Sequence, residues 1–420
     1  MVKYCHKYTV PFYCIASAFS SVFAKRGDIL SAVGIIAEFN PLHQGHKKII
    51  DCAKTLGDTV VCLISGNFVQ RGDTAIISKQ QRAKFALLCG ADIVAEMPVL
   101  WSMSTAQNFA LAGVWLLYNL GCDKIIFGSE CGDISALKNT ADILNSDIFF
   151  TAATQKAKSG ITFAAAREQA ASELGADVNL LRNPNDNLGI EYICAAQKLH
   201  LPIEFHCIKR IGAKHDSNEI DGKYVSASYI RKELTAGNIG FCERFIPREI
   251  RGILKSEHIS DIKRLENAIL YSLRTKTAVD FKLLPDISEG LENKIYFSAR
   301  VATSLDELYN MIKSKRYTLA RIRRLVLSAF LGFDNEFFMK TPPYVRILGF
   351  GKIGEVHLKK LVALIPVVTR TSQIKMLEKD SQKVFDTECR ATDIYALSFL
   401  SPLECGIEQR TKLFKTEELL

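Results

Sequence analysis

Between residues 32 and 240 short apolar runs alternate with stretches of helical periodicity, and this alternation leaves few folds open. Ala32-Val-Gly-Ile-Ile-Ala37, Val60–Ile64, Lys124–Phe127 and Pro202–Ile208 read as buried strands, with Lys79–Cys89 and Ser104–Leu120 as helices between them. Strands that are apolar on both faces need helices on both sides, so the pattern predicts an α/β fold with a doubly wound, Rossmann-like parallel sheet. Ligands of such sheets bind at the carboxyl ends of the strands, which is where to look for chemistry.

Past residue 240 the pattern becomes mostly helical, and a domain boundary is expected there, between an α/β domain over 32–240 and a helical, basic domain over 241–420. The chain carries a formal charge of +9. Residues 245–420 hold 29 Lys and Arg against 22 Asp and Glu, a balance of +7, so an anionic partner is expected on this half. Its most basic stretch, Lys313–Arg324, is expected to be a helix with Leu319, Ile322 and Leu325 facing inward and Arg321 and Arg324 sharing an exposed edge, Arg323 beside them. Residues 1–31 place Lys3, His6 and Lys7 before a moderately apolar run broken by Ser, Tyr and Cys. They read as a leader that the working protein does not need rather than as an export signal. No run reaches the length of a membrane span. The twelve cysteines form no Cys-x-x-Cys pair, which argues against a zinc site or a disulfide framework and for the reducing cytoplasm.

The segment that carries chemistry follows the first strand: Ala37-Glu-Phe-Asn-Pro-Leu-His43-Gln-Gly45-His46-Lys47, opening a helix. Gly45 lets a phosphate approach the backbone, the helix start adds the positive end of its dipole, and two imidazoles can donate to phosphate oxygens. Donors already aimed at a phosphate stabilise the charge that develops when its α-phosphorus is attacked. By contrast, Gly349-Phe-Gly351-Lys-Ile-Gly354 matches Gly-x-Gly-x-x-Gly without the acidic residue that a dinucleotide site requires, and is read as a turn. No His-Glu-x-x-His, Gly-x-Ser-x-Gly or EF-hand pattern occurs, so hydrolase and dedicated metal chemistry lack support.

Residues 34–46 resemble the ATP-binding opening of the HxGH nucleotidyltransferase superfamily, and more closely that of the bacterial tRNA(Met) cytidine acetate ligase family. Ser65–Gly72, Phe127–Glu130, Asn185–Tyr192, Lys209-Arg210, Ser226–Arg231 and Tyr344–Phe350 agree in the same order. The resemblance implies that acetate and ATP form acetyl-adenylate with loss of pyrophosphate. The acetyl group then passes to N4 of the wobble cytidine of elongator tRNA(Met). It implies catalytic roles for His43 and His46. It also implies ATP contacts from Ile36, Ala37, Glu38, Phe39, Asn40, Pro41, Leu42, His43, Gln44, Gly45, His46, Lys47, Gly128, Asn185, Arg210, Ser226, Ser228 and Arg231, with Mg²⁺ arriving on ATP. Asp186 departs from the family's usual Asn. Arg71, Arg321, Arg323 and Arg324 are expected at the RNA; no membrane or protein partner is implied. Two other classes stay open: an adenylyltransferase making a small nucleotide cofactor, and a non-catalytic RNA-binding protein that kept the nucleotidyltransferase shell.

Overall fold

A computed structural model of the chain describes residues 31–158, 161, 163–210, 225–255, 258–288, 290–314, 316–338 and 340–419. Apart from Ser31, the expected leader lies outside the described residues. Strands β1 (Ala32–Ala37), β2 (Thr59–Ser65), β3 (Ile93–Met97), β4 (Cys122–Ser129) and β5 (Glu204–Lys209) are all parallel to their neighbours within this set, in the order β3-β2-β1-β4-β5. The chain moves outward from β1 through β2 to β3, then crosses back to β4 on the other side of β1, so the topological switch point lies between β1 and β4. Alternation along the strands divides the core. Ile36, Val61, Leu63, Ala95 and Met97 face the helix α3 (Ala106–Asn119), while Val33, Ile35, Cys62, Ile64 and Val94 face α1 (Gln44–Ala53) and α2 (Lys79–Leu88). Helices α4 (Pro184–Lys198) and α5 (Ala227–Thr235) pack on opposite faces in the same way. This parallel part of the sheet is the one that the spacing of apolar runs predicts, with one strand added: in Ile93–Met97 the glutamate at position 96 breaks the apolar pattern.

Chain beyond residue 240 is not confined to a helical unit. β6 (Val345–Phe350) pairs antiparallel with β3, and β7 (Val367–Val368) and β8 (Phe414–Lys415) pair with β6, giving an eight-stranded sheet. Residues 262–331 do form helices, among them α6 (Leu319–Leu331), around a core of their own. That core also takes in Phe68, Val99 and Met103 from the sheet side. The helix α7 (Lys352–Lys360) follows β6 directly, and a Cβ at Gly354 would stand 2.1 Å from the Asp92 carbonyl oxygen. The glycine-rich stretch is therefore a strand-to-helix junction that lets α7 press on the start of β3.

What fastens this returning chain is a buried set of charges. Lys79 on α2 bonds to Glu96 on β3, to Glu388 at 2.7 Å and to Glu408 at 2.6 Å. Glu388 lies on the helix α8 (Lys379–Tyr395). Arg346 on β6 bonds to Glu408 and, at 3.2 Å, to Glu96. Every member is almost wholly excluded from solvent. Three carboxylates face two cations, and burial followed by the Glu388 charge raises Glu96 to about 8, so near neutrality Glu96 keeps its proton and the set is balanced. Glu408, against Lys79 and Arg346, is held down to about 2 despite its burial.

Candidate active site

β1 ends where α1 begins, and the loop between them carries the paired histidines. His43 caps α1: its Nδ1 accepts the Gly45 N–H at 3.0 Å, and His46 Nδ1 accepts the His43 N–H at 3.3 Å. The two rings stack with centroids 3.9 Å apart, and Phe39 meets His46 edge-on. Because both Nδ1 atoms accept, each neutral ring carries its proton on Nε2. Burial, with the Arg210 and Arg231 charges, lowers His43 to about 3; burial, then His43 and Arg210, hold His46 well below its ordinary value. Both rings therefore stay neutral at physiological pH and present Nε2–H donors. Folded histidines of this kind bind protons less readily than unfolded ones, so their linkage removes stability as pH falls below about 6.5.

The cations that depress the histidines are two of the expected contacts. Arg210 follows β5, and its backbone N–H bonds to the Ser129 carbonyl at 2.9 Å. Its Cγ lies 3.6 Å from where a Cβ on Gly128 would stand. Arg231 donates from Nη1 to the Asn40 carbonyl at 2.8 Å. Ser226 caps α5 by accepting the Tyr229 N–H, and its hydroxyl bonds to that of Ser228 at 3.0 Å. The switch point thus gathers His43, His46, Gly128, Arg210 and Arg231 into a positive, donor-lined end of the sheet, suited to a polyphosphate.

The other residues expected at ATP have these surroundings within the chain. Gln44 bonds to the Phe245 and Ile246 carbonyls, and Lys47 pairs with Asp51 and, at 3.9 Å, with Glu249. Ile36 and Leu42 are core side chains, Pro41 is buried, and Ala37 is half-buried where β1 ends. Glu38 accepts the Gln70 N–H and Asn40 accepts the Ile76 N–H through their side chains. Asn185 binds Glu130 through both its backbone and side-chain nitrogens. Asp186, unexplained by sequence, is fully buried and accepts from Ser129 Oγ, from the Glu130 and Cys131 N–H groups and from Asn183, fixing the loop that leaves β4.

The basic edge expected over Lys313–Arg324 is corrected by the structure. The helix starts only at Leu319, capped by Thr318, and its inward face is as the spacing predicts. Arg321 and Arg324 turn to Asp286, at 3.2 and 3.9 Å, and Arg324 also donates to the Gln70 carbonyl at 3.0 Å. Arg323 lies 5.5 Å over the Tyr309 ring. The partner of Arg321 and Arg324, Asp286, is distant along the chain, out of reach of any argument from local spacing. Gly72, at φ 73°, allows the loop carrying Arg71 to approach: a Cβ there would stand 2.6 Å from Arg323 Cβ. An Arg321/Arg323/Arg324→Ala variant is therefore expected to lose about 1–3 kcal/mol of stability, read from its urea midpoint. An unchanged midpoint with a shallower salt dependence of tRNA binding would return these arginines to the RNA.

Two residues of the site's support went unread. Arg82, fully buried on α2, donates to the carbonyls of Glu38, Ser65, Gly66 and Ile77. Lys79 sits on the same buried stripe. A cation at a core-facing helical position was the available signal.

Comparison with known proteins agrees with this geometry. The HIGH Nucleotidyl Transferase family model matches residues 30–409. Over 397 residues the chain is 37% identical to the tRNA(Met) cytidine acetate ligase of Thermoanaerobacter sp. (strain X514), covering 90% of this chain and 98% of that relative. The chain belongs to the tRNA(Met) cytidine acetate ligase family.

Solved structures of this acetate ligase family share the fold. Thermotoga maritima TmcAL without ligand superposes with a TM-score of 0.86 at 31% identity, covering 92% of this chain and 99% of the other. The structure of that protein bound with alpha-thio ATP gives 0.84 at 30% identity, with the same coverage. As in those relatives, the acetate ligase fold here is a mostly parallel α/β sheet with a helical C-terminal region. Among the described residues no helix is long and apolar enough to cross a membrane, and no three His, Cys, Asp or Glu side chains gather into a metal site.

Proposed function

We propose that this chain is an ATP-dependent ligase that acetylates N4 of the wobble cytidine of elongator tRNA(Met) in the cytoplasm. The observation that carries the reading is the pair of neutral Nε2–H donors on His43 and His46, set beside Arg210 and Arg231 at the switch point of a family member's sheet. An acetate oxygen attacks the α-phosphorus of ATP and pyrophosphate leaves. The imidazole donors and the two guanidinium groups meet the charge that builds on the phosphates. The cytidine amine then attacks the acetyl carbonyl, AMP leaves and the amine loses a proton. Gly128, Ser226 and Ser228 border the nucleotide in this reading, with Asn185 at its rim. Arg71 extends toward the RNA, and Mg²⁺ comes on the triphosphate oxygens, which are hard ligands suited to it.

The test is incubation with ATP and bulk tRNA, with and without acetate, followed by mass analysis of nucleosides. An acetate-dependent gain of one acetyl group on a cytidine is expected. Pyrophosphate release without tRNA acetylation would turn the reading to another acyl or adenylyl acceptor, and neither activity would reject it.

A further inference from the structure

The geometry points to Arg82 as a positioning residue: its guanidinium sets the histidine-bearing loop against the loop after β2, and so governs the rate of adenylate formation rather than affinity for ATP. This rests on the reading above, in which ATP meets His43 and His46. Arg82 is 0% exposed. Its Nη1 donates to the Glu38 carbonyl at 2.6 Å and the Ser65 carbonyl at 2.9 Å, Nη2 to the Gly66 carbonyl, and Nε to the Ile77 carbonyl at 3.1 Å. All four of these acceptors are backbone oxygens, drawn from three separate segments at the carboxyl edge of the sheet. Burying a guanidinium is costly, and an apolar side chain would fill the same volume without that cost. What the guanidinium supplies instead is a rigid planar fork that fixes several acceptors relative to one another.

The segment it holds needs holding. Phe39 follows Glu38 at φ 47°, a conformation that a bulky residue keeps only where its surroundings impose it. On one side Arg82 fixes the Glu38 carbonyl. On the other, Ile76 and Arg231 bond to the side chain and carbonyl of Asn40. The same two loops are joined again where Gln70 donates to the Glu38 carboxylate at 2.9 Å. His43 lies just beyond this clamped turn, so a shift of the turn moves the Nε2–H donors. Misplacing such groups by about 1 Å costs on the order of 100-fold in rate.

Arg82→Lys keeps the charge without the fork, and Arg82→Met keeps volume without charge. In the full chain both are expected to lower kcat for acetate-dependent pyrophosphate release by about 100-fold while ATP affinity stays within about threefold. A lysine variant with wild-type kcat would overturn the proposal, since charge alone would then suffice. So would a well-folded methionine variant with wild-type kcat, or loss of soluble protein in both, which would make Arg82 a folding residue only. A wild-type chain that releases no pyrophosphate with acetate rejects the ligase reading itself. An active wild type with active variants rejects only the role of Arg82.

Discussion

Replacing His43 or His46 with alanine is expected to lower acetate-dependent pyrophosphate release by roughly 10²–10³-fold, the usual cost of losing a preorganised donor to a developing negative charge. Each ring also supports its partner: His46 accepts the His43 N–H, and His43 caps α1 through Gly45. The double variant should therefore lose less than the product of the single losses. Asparagine at position 43 can still cap the helix, so His43→Asn should fold as wild type and remain slow. Both rings are held neutral by burial and by neighbouring positive charge. Hence the wild-type rate should show no histidine titration between about pH 5 and 8. Rates like wild type in both alanine variants, or a rate that rises through the ordinary histidine range, would remove the pair from the chemistry.

Lys79→Met should be the most damaging single change to the fold. It leaves Glu388 and Glu408 buried with Arg346 as the remaining cation of the set, and breaking a buried ionic set in this way costs about 3–5 kcal/mol. The deficit has a sign in pH. Without the lysine, the buried carboxyls take up protons in the folded state more readily than in the unfolded chain. Stability of the variant then falls as pH rises above the unfolded carboxyl range of about 4.3. Urea midpoints of variant and wild type should accordingly lie closer together at pH 5.5 than at pH 8. In the wild type, Glu96, raised to about 8, removes stability as pH climbs from the ordinary carboxyl range toward 8, and Glu96→Gln should flatten that slope. A deficit independent of pH, or one below about 1 kcal/mol, would deny Lys79 this role.

The sequence made the chemistry legible because the site lies on consecutive elements: strand, turn, paired histidines and helix occupy residues 32–53. Strands that are apolar on both faces were equally plain. What escaped reading depends on partners far apart in the chain. Asp286 captures Arg321 and Arg324, and Arg346 and Glu408 complete the charges around Lys79. Gln44 and Lys47, inside the signature, turn to the chain near residues 245–249, and spacing alone cannot tell an inward from an outward side chain at a helix start. β3 was missed because Glu96 interrupts it, and the same glutamate is buried only because Lys79 and Arg346 reach it.

That strand also shapes how the protein is made. β3 leaves the ribosome about 250 residues before β6, and at roughly 5–20 residues per second the gap is on the order of 10–50 seconds. Throughout that interval Ile93–Met97 presents an open edge able to pair with another nascent chain, the usual route to aggregation. Glu96 stands on that strand, and a buried polar side chain there discourages such pairing until β6 arrives to cover it. A chain that stops short of residue 345 keeps its histidine loop complete yet leaves this edge exposed, so the nucleotide half and the solubility of the protein mature at different moments of synthesis.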